Sequence, residues 1–292
     1  MRILVQILIS SFFVLLSTFS LAARVDTLQV ESQAMQKVLK VAVVVPESYD
    51  REKQAFPVLY LLHGGSGSYS DWLSKTPDSN LLHRLADQYN ILIVTPEGGS
   101  TSYYFDSPLD KGSQYETFIS QEARKKIEST YRTVQNKKGR AIAGLSMGGH
   151  GAFFMATRHP ELYCAAGSMS GVMNINTATW KVPAEFAKLR ADNFARLLGP
   201  PENTAMPYLN FTAVGMVEQM KQNDVKLKFD CGVDDFLIDT NRDLHQKLLA
   251  QNVAHEYTER PGSHSWEYWQ NALPYHMLFF HDIFRENDTA IF

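Results

Sequence analysis

The chain has 292 residues, 45% of them hydrophobic, and a formal net charge of −3. Such a length buries a large core in one domain, with or without insertions. No basic stripe and no long run of one charge sign occurs, which argues against nucleic acid as a partner. With only two cysteines, Cys164 and Cys231, a small fold stapled by disulfides is excluded.

Arg2 precedes an apolar run from Ile3 to Leu16, and both Ser20-Leu21-Ala22 and Leu21-Ala22-Ala23 suit a signal peptidase. A membrane span is the competing reading. Gln6, Ser10 and Ser11 interrupt the run, and it falls short of the roughly 20 apolar residues a span needs. Residues 1–23 are therefore expected to be a secretory signal, with a secreted or periplasmic domain over 24–292. No stable membrane insertion is expected once the leader is removed.

Leu28–Val30 and Val38–Val45 read as strands, the second alternating until Pro46 closes it. Phe56–His63 is a continuous apolar run, as in a central parallel strand covered on both faces. Leu81–Tyr89 has helical spacing, Asn90–Thr95 is a short strand, and Tyr115–Tyr131 reads as a helix. Arg140–Leu145 is a strand, and Met147–Arg158 a helix that Pro160 ends. Strands follow at Tyr163–Met169, Val225–Cys231 and Ala254–Arg260, with a helix at Asp239–Gln251. A closing helix spans Glu267–Phe284, and Pro274 is expected to kink or divide it. The alternation predicts parallel βαβ units. Gly171–Asp224 breaks the rhythm and is too long for a structureless loop. It is expected to be a helical insertion over the sheet edge that lines a cleft. Cys164 and Cys231 are placed too far apart to bridge and are expected to be free, buried thiols.

Gly144-Leu145-Ser146-Met147-Gly148 is a G-x-S-x-G pattern. The strand that enters it and the helix that leaves it give the strand–turn–helix of a nucleophile elbow. Glycines on both sides relieve collisions at a tight reversal, so the Ser146 hydroxyl projects above the sheet and the Met147 N–H faces the same way. A serine hydroxyl needs a base to take its proton, and behind such an elbow an acid and then a histidine follow in chain order. Asp234 and Asp235 both lie on the turn after Val225–Cys231. The G-x-x-D spacing from Gly232 favours Asp235, with Asp234 the competitor. His264, in Pro261-Gly262-Ser263-His264, follows the last strand and is the candidate base. His245, His255, His276 and His281 lack that placement. The loop His63-Gly64-Gly65-Ser66-Gly67 should supply the second oxyanion donor, with Gly65 chosen. No H-x-x-x-H pair occurs, so no metal site is expected, and the chemistry needs no cofactor.

With these motifs, and with Gly149-His150-Gly151-Ala152 and Ser265-Trp266-Glu267-Tyr268-Trp269 beside them, the chain resembles the esterase D-type branch of the α/β-hydrolases. That branch contains feruloyl, acetylxylan and tributyrin esterases, S-formylglutathione hydrolases and, more distantly, mycolyltransferases. The resemblance runs from about Val38 to Phe280 and is weakest over 171–224. It implies an α/β-hydrolase fold, a mostly parallel central sheet with helices on both faces and a helical insertion near the active site. It implies the catalytic set Ser146, Asp235 and His264, with oxyanion donors at Gly65 and Met147. Tyr104, in the aromatic stretch Ser102–Pro108, and Trp266 beside the base loop are carried over as substrate contacts. Glu97-Gly98-Gly99 stands where many members have a Pro-Asp or Pro-Asn turn. An exported member is expected to act on a small-molecule or polysaccharide-linked ester, feruloyl or acetyl first. A short-chain acyl ester, a glutathione thioester, acyl transfer and a non-catalytic carbohydrate-binding role are the alternatives.

Overall fold

The structure is a computed structural model that describes residues 22–203 and 207–292. The leader expected over 1–23 lies outside these residues but for its last two positions. Eight strands form one sheet: β1 (Arg24–Ser32), β2 (Lys37–Val45), β3 (Val58–Leu62), β4 (Leu92–Pro96), β5 (Arg140–Leu145), β6 (Ala165–Met169), β7 (Lys226–Gly232) and β8 (His255–Arg260). Their order is β1-β2-β4-β3-β5-β6-β7-β8. The pairs β1–β2 and β2–β4 are antiparallel, and every later pair is parallel. The expected α/β-hydrolase sheet, mostly parallel and covered on both faces, is the one observed.

Successive side chains of a strand point to opposite faces, and this sorts the core into two layers. Val58, Tyr60, Leu62 and Ile142 face one side with Phe153 and Phe154 of the elbow helix Met147–Arg158. Leu59, Leu61, Ala141 and Ala143 face the other, with Leu82 and Leu85 of the helix Leu81–Tyr89 and Leu273, Met277 and Phe280 of the closing helix Trp266–Glu286. β5 is buried along its whole length, which explains its unbroken apolar reading. β8 is the outer strand; its charged, half-exposed sequence, with Arg242 paired to Glu259 at 2.6 Å, blunts the open edge.

Three expectations are corrected in detail. The closing helix runs unbroken through Pro274. Its buried face, Trp269, Leu273, Met277, Phe280 and Phe284, outweighs the missing N–H donor. The helix read over Tyr115–Tyr131 carries a wide π segment, Phe118–Ala123, between α-helical Tyr115–Thr117 and Arg124–Thr130. The first part of the long insertion lies against the loops at the carboxyl ends of β4 and β7, and its later part packs on the elbow helix and the helix Ile238–Ala250 over one face of the sheet and not at its outer edge. The insertion holds the helix Ala184–Leu198 and the short helix Val217–Lys221. Asn193 donates to the Thr101 carbonyl at 2.9 Å, Ser107 to the Leu197 carbonyl at 2.6 Å, and the Lys181 N–H to the Phe236 carbonyl at 3.0 Å. Cys164 and Cys231 are buried and free, and burial pushes the Cys164 thiol up to about 12. Among the described residues no helix is long and apolar enough to cross a membrane.

His150, one turn into the elbow helix, is wholly buried between Phe105 and Phe154, and its Nε2 meets the Phe211 carbonyl of the insertion at 2.8 Å. Burial pushes the imidazole down from 6.5 to about 4. The folded value lies below the unfolded one, so the unfolded chain takes up the proton first as pH falls. The contribution is complete above pH 6.5 and is lost as pH drops toward 4, on the order of 3 kcal/mol. Urea unfolding of wild type and His150→Gln at about pH 7 and about pH 4.5 should show the larger acid loss in wild type. Equal losses in the two proteins would refute this.

Candidate active site

Ser146 sits between β5 and the elbow helix with φ 53° and ψ −117°. Such a backbone costs roughly 1–3 kcal/mol for a residue with a side chain. The surroundings leave no alternative. A Cβ on Gly144 would stand 2.4 Å from the Gly148 carbonyl carbon, and one on Gly148 would stand 2.6 Å from the carbonyl oxygens of Leu62 and His63. Only glycine at both positions lets the turn press onto β3. Ser146 donates its N–H to the Met169 carbonyl at 2.9 Å, and its own carbonyl accepts from His150 at 3.1 Å and from Val172 at 3.2 Å.

The loops after β7 and β8 are fastened to each other. Val233 donates to the Arg260 carbonyl at 2.9 Å and Asp234 to the Gly262 carbonyl at 3.0 Å. This turns the Asp234 side chain out to solvent and Asp235 inward. The Asp235 carboxylate is buried; Oδ1 accepts the Leu237 N–H at 2.9 Å and Oδ2 meets His264 Nδ1 at 2.8 Å. His264 Nε2 lies 2.9 Å from Ser146 Oγ. The three side chains thus form one hydrogen-bonded line, and of the two competing acids Asp235 is the one that reaches the base. The His264 side chain keeps 18% of its exposure while that of Asp235 has none. Phe236 and Trp269 hold the ring from two sides, with centroids at 4.5 and 4.9 Å.

Met147 opens the elbow helix, so its N–H has no preceding helical turn to donate into. Gly64 packs against the elbow: a Cβ there would stand 3.5 Å from Ser146 Cβ. Gly65, next to it, is exposed, and no bond occupies its N–H among the described residues. Ser66 instead spends its N–H on the Ser100 carbonyl at 2.6 Å.

Tyr104 is not where a substrate contact could be. It is fully buried, Gly98 and Gly151 press on its ring, and its hydroxyl donates to the His63 carbonyl at 2.9 Å. An aromatic side chain and a phenol that needs one acceptor explain its position as packing beneath the loop. Trp266 is half-buried, edge-on to Trp72 at 5.4 Å and to Trp269 at 5.3 Å. It braces the base loop from the side away from Phe236.

Two residues escaped the sequence reading. His63 is buried; its Nε2 accepts the Gly98 N–H at 2.8 Å, so Nδ1 carries the proton and donates to the Gly64 carbonyl at 2.8 Å. A neutral imidazole thereby ties the glycine loop to the strand-end loop at Gly98. Its adjacency to Gly64-Gly65 was the available signal. Phe236 carried none, because a phenylalanine after an acid is an ordinary core residue.

Comparison with known proteins gives the family. The chain matches the family model Esterase, described as "Putative esterase", over residues 32–280. It is 28% identical over 227 residues to an acetyl esterase of Caldicellulosiruptor saccharolyticus, covering 77% of this chain and 83% of that protein. It is 26% identical over 279 residues to the diacylglycerol acyltransferase/mycolyltransferase Ag85B of Mycobacterium leprae, covering 85% and 81%. The structure of a ferulic acid esterase superposes with a TM-score of 0.74 at 31% identity, covering 90% of this chain and 98% of that one. The S-formylglutathione hydrolase FrmB of Staphylococcus aureus shares the fold with a TM-score of 0.72 at 19% identity, over 89% and 99%. The chain therefore belongs to the esterase family, serine carboxylic-ester hydrolases built on the α/β-hydrolase fold.

Proposed function

We propose that this chain is an exported esterase that removes feruloyl or acetyl groups from plant polysaccharide through an acyl-enzyme on Ser146. The observation that carries the mechanism is His264, bonded to Asp235 at 2.8 Å on one nitrogen and to Ser146 at 2.9 Å on the other. With Nδ1–H donated to the carboxylate, Nε2 is bare and accepts the serine proton as Oγ attacks the ester carbonyl. The carbonyl oxygen becomes an oxyanion held by the N–H groups of Gly65 and Met147, each worth roughly 2.7–4 kcal/mol of barrier. The alcohol leaves with the proton from His264. Water then attacks the acyl-serine, gives its proton to Nε2, and frees the acid and the Ser146 hydroxyl. Asp235 fixes the tautomer and stabilises the imidazolium without taking the proton.

The substrate proposal draws on the names of relatives, a ferulic acid esterase and an acetyl esterase. Export draws on the apolar leader Ile3–Leu16 and the small residues after it. A second reading, transfer of the acyl group to an acceptor other than water, draws on the mycolyltransferase relatives.

Turnover of methyl ferulate, acetylated xylan and tributyrin decides among these. The first two should exceed tributyrin in kcat/KM, and Ser146→Ala should abolish all three. A preference for tributyrin would replace the polysaccharide reading with a short-chain one. Hydrolysis of no ester would leave a carbohydrate-binding role. Ester product in place of free acid, when an alcohol is added, would favour transfer.

Asp235→Asn should lower kcat by about ten-thousandfold, the cost of holding the imidazole in the wrong tautomer. Asp234→Asn should leave it near wild type, since that side chain faces solvent. The reverse pattern would reassign the acid.

A further inference from the structure

The insertion helix Ala184–Leu198 brings one cation to the glycine loop. A Cβ placed on Gly65 would stand 3.9 Å from Nη2 of Arg190. The guanidinium lies over the Phe186 ring at 4.9 Å, Phe186 meets Phe236 edge-on at 6.4 Å, and Phe236 meets His264 at 4.5 Å. A continuous wall therefore runs from the base, over two phenyl rings, to the guanidinium and on to the loop that carries the oxyanion amide.

Arg190 differs from its counterparts. Every other described arginine is bonded or paired to a carboxylate or bonded to a carbonyl: Arg24, Arg51, Arg84, Arg124, Arg140, Arg158, Arg196, Arg242, Arg260 and Arg285 to acids, and Arg132 to the carbonyls of Tyr49 and Glu52. Arg190 has no such partner among the described residues; its guanidinium rests on the Phe186 ring and acts electrostatically on the buried Tyr103. A guanidinium offers a rigid fork of donors that matches a carboxylate in two-point contact. Stacking on a ring holds that fork in place without occupying its N–H groups.

We infer that Arg190 forms a carboxylate-binding subsite beside the scissile carbonyl, so that the preferred ester carries an anionic carboxylate close to the bond that is cut. This deepens the proposed esterase reading and rests on it. Neither a feruloyl nor an acetyl group supplies that charge by itself. The carboxylate belongs either to the acyl half, as in a dicarboxylic half-ester, or to the alcohol half, as in an ester of a uronic-acid-bearing sugar.

Two matched pairs of substrates separate these sources. For the acyl half they are p-nitrophenyl succinate and p-nitrophenyl butyrate; for the alcohol half, 4-acetoxybenzoate and 4-acetoxybenzamide. The readout is the ratio of kcat/KM for the charged over the neutral member, in wild type, Arg190→Met and Arg190→Lys. In one pair the ratio should fall at least about tenfold in Arg190→Met, the scale of one charge-assisted contact. It should recover in part in Arg190→Lys, which keeps the charge and loses the fork. The pair that responds identifies the half that bears the carboxylate. Ratios that do not change between wild type and Arg190→Met overturn the subsite. So does an equal loss on all four esters, which would mean that Arg190 acts on the oxyanion loop itself. Failure of wild type to hydrolyse any of the four esters would sink the esterase reading on which the subsite stands, and is seen before any ratio is taken.

Discussion

The catalytic geometry hangs on one strained peptide. Ser146 holds a backbone that a residue with a side chain avoids, and it holds it because the turn around it has nowhere else to go. Gly144 and Gly148 close against each other and against the end of β3, where no Cβ would fit. Ser146 donates its N–H to the Met169 carbonyl and accepts from the N–H groups of His150 and Val172, so its backbone is fixed from both sides. The same closeness places the Gly64–Gly65 loop over the serine, since that loop is the direct continuation of β3. Ser146 and the glycine loop are thus registered by backbone packing and not by side-chain chemistry.

The base and acid are registered separately. β7 carries Asp230 inside the sheet and Asp235 on the turn beyond it. Asp230 accepts from the Tyr268 hydroxyl at 2.8 Å and meets Nε2 of His276 at 2.6 Å. Both partners belong to the closing helix, which begins two residues after His264. One strand therefore anchors the helix behind the base and presents the acid in front of it. His276, one of the four histidines without strand-end placement, works in this anchor.

Most of the sheet was readable because parallel strands buried on both faces leave continuous apolar runs, as β3 and β5 do. The elbow was readable because its glycines are demanded by contact and its flanking elements are regular. The choice of Asp235 over Asp234 followed from spacing to Gly232, which fixes the turn. What stayed hidden depends on partners distant in the chain. Tyr104 reads as a free aromatic beside a site until His63 is seen to accept its hydroxyl. Pro274 reads as a break until the apolar face of its helix is matched to the sheet. Arg190 and Phe236 have no local pattern, because Arg190 approaches Gly65 and Phe236 meets Trp180, Phe186 and His264, all distant in the chain.

The outgoing and returning arms of the insertion meet at one place beside the elbow. Val172 is bonded to the nucleophile's carbonyl, and the returning strand of chain is clasped to the departing one. The Thr212 hydroxyl donates to the Met173 carbonyl at 2.8 Å and accepts from Ile175 at 3.1 Å, and Val214 donates to Met173 at 3.0 Å. The excursion between these clasps, which carries the helix Ala184–Leu198, has a locked neck. Lengthening its solvent-facing part costs little closure entropy, because the neck is closed independently of it. A change of length there can reshape the roof of the cleft while the neck keeps the elbow below in register.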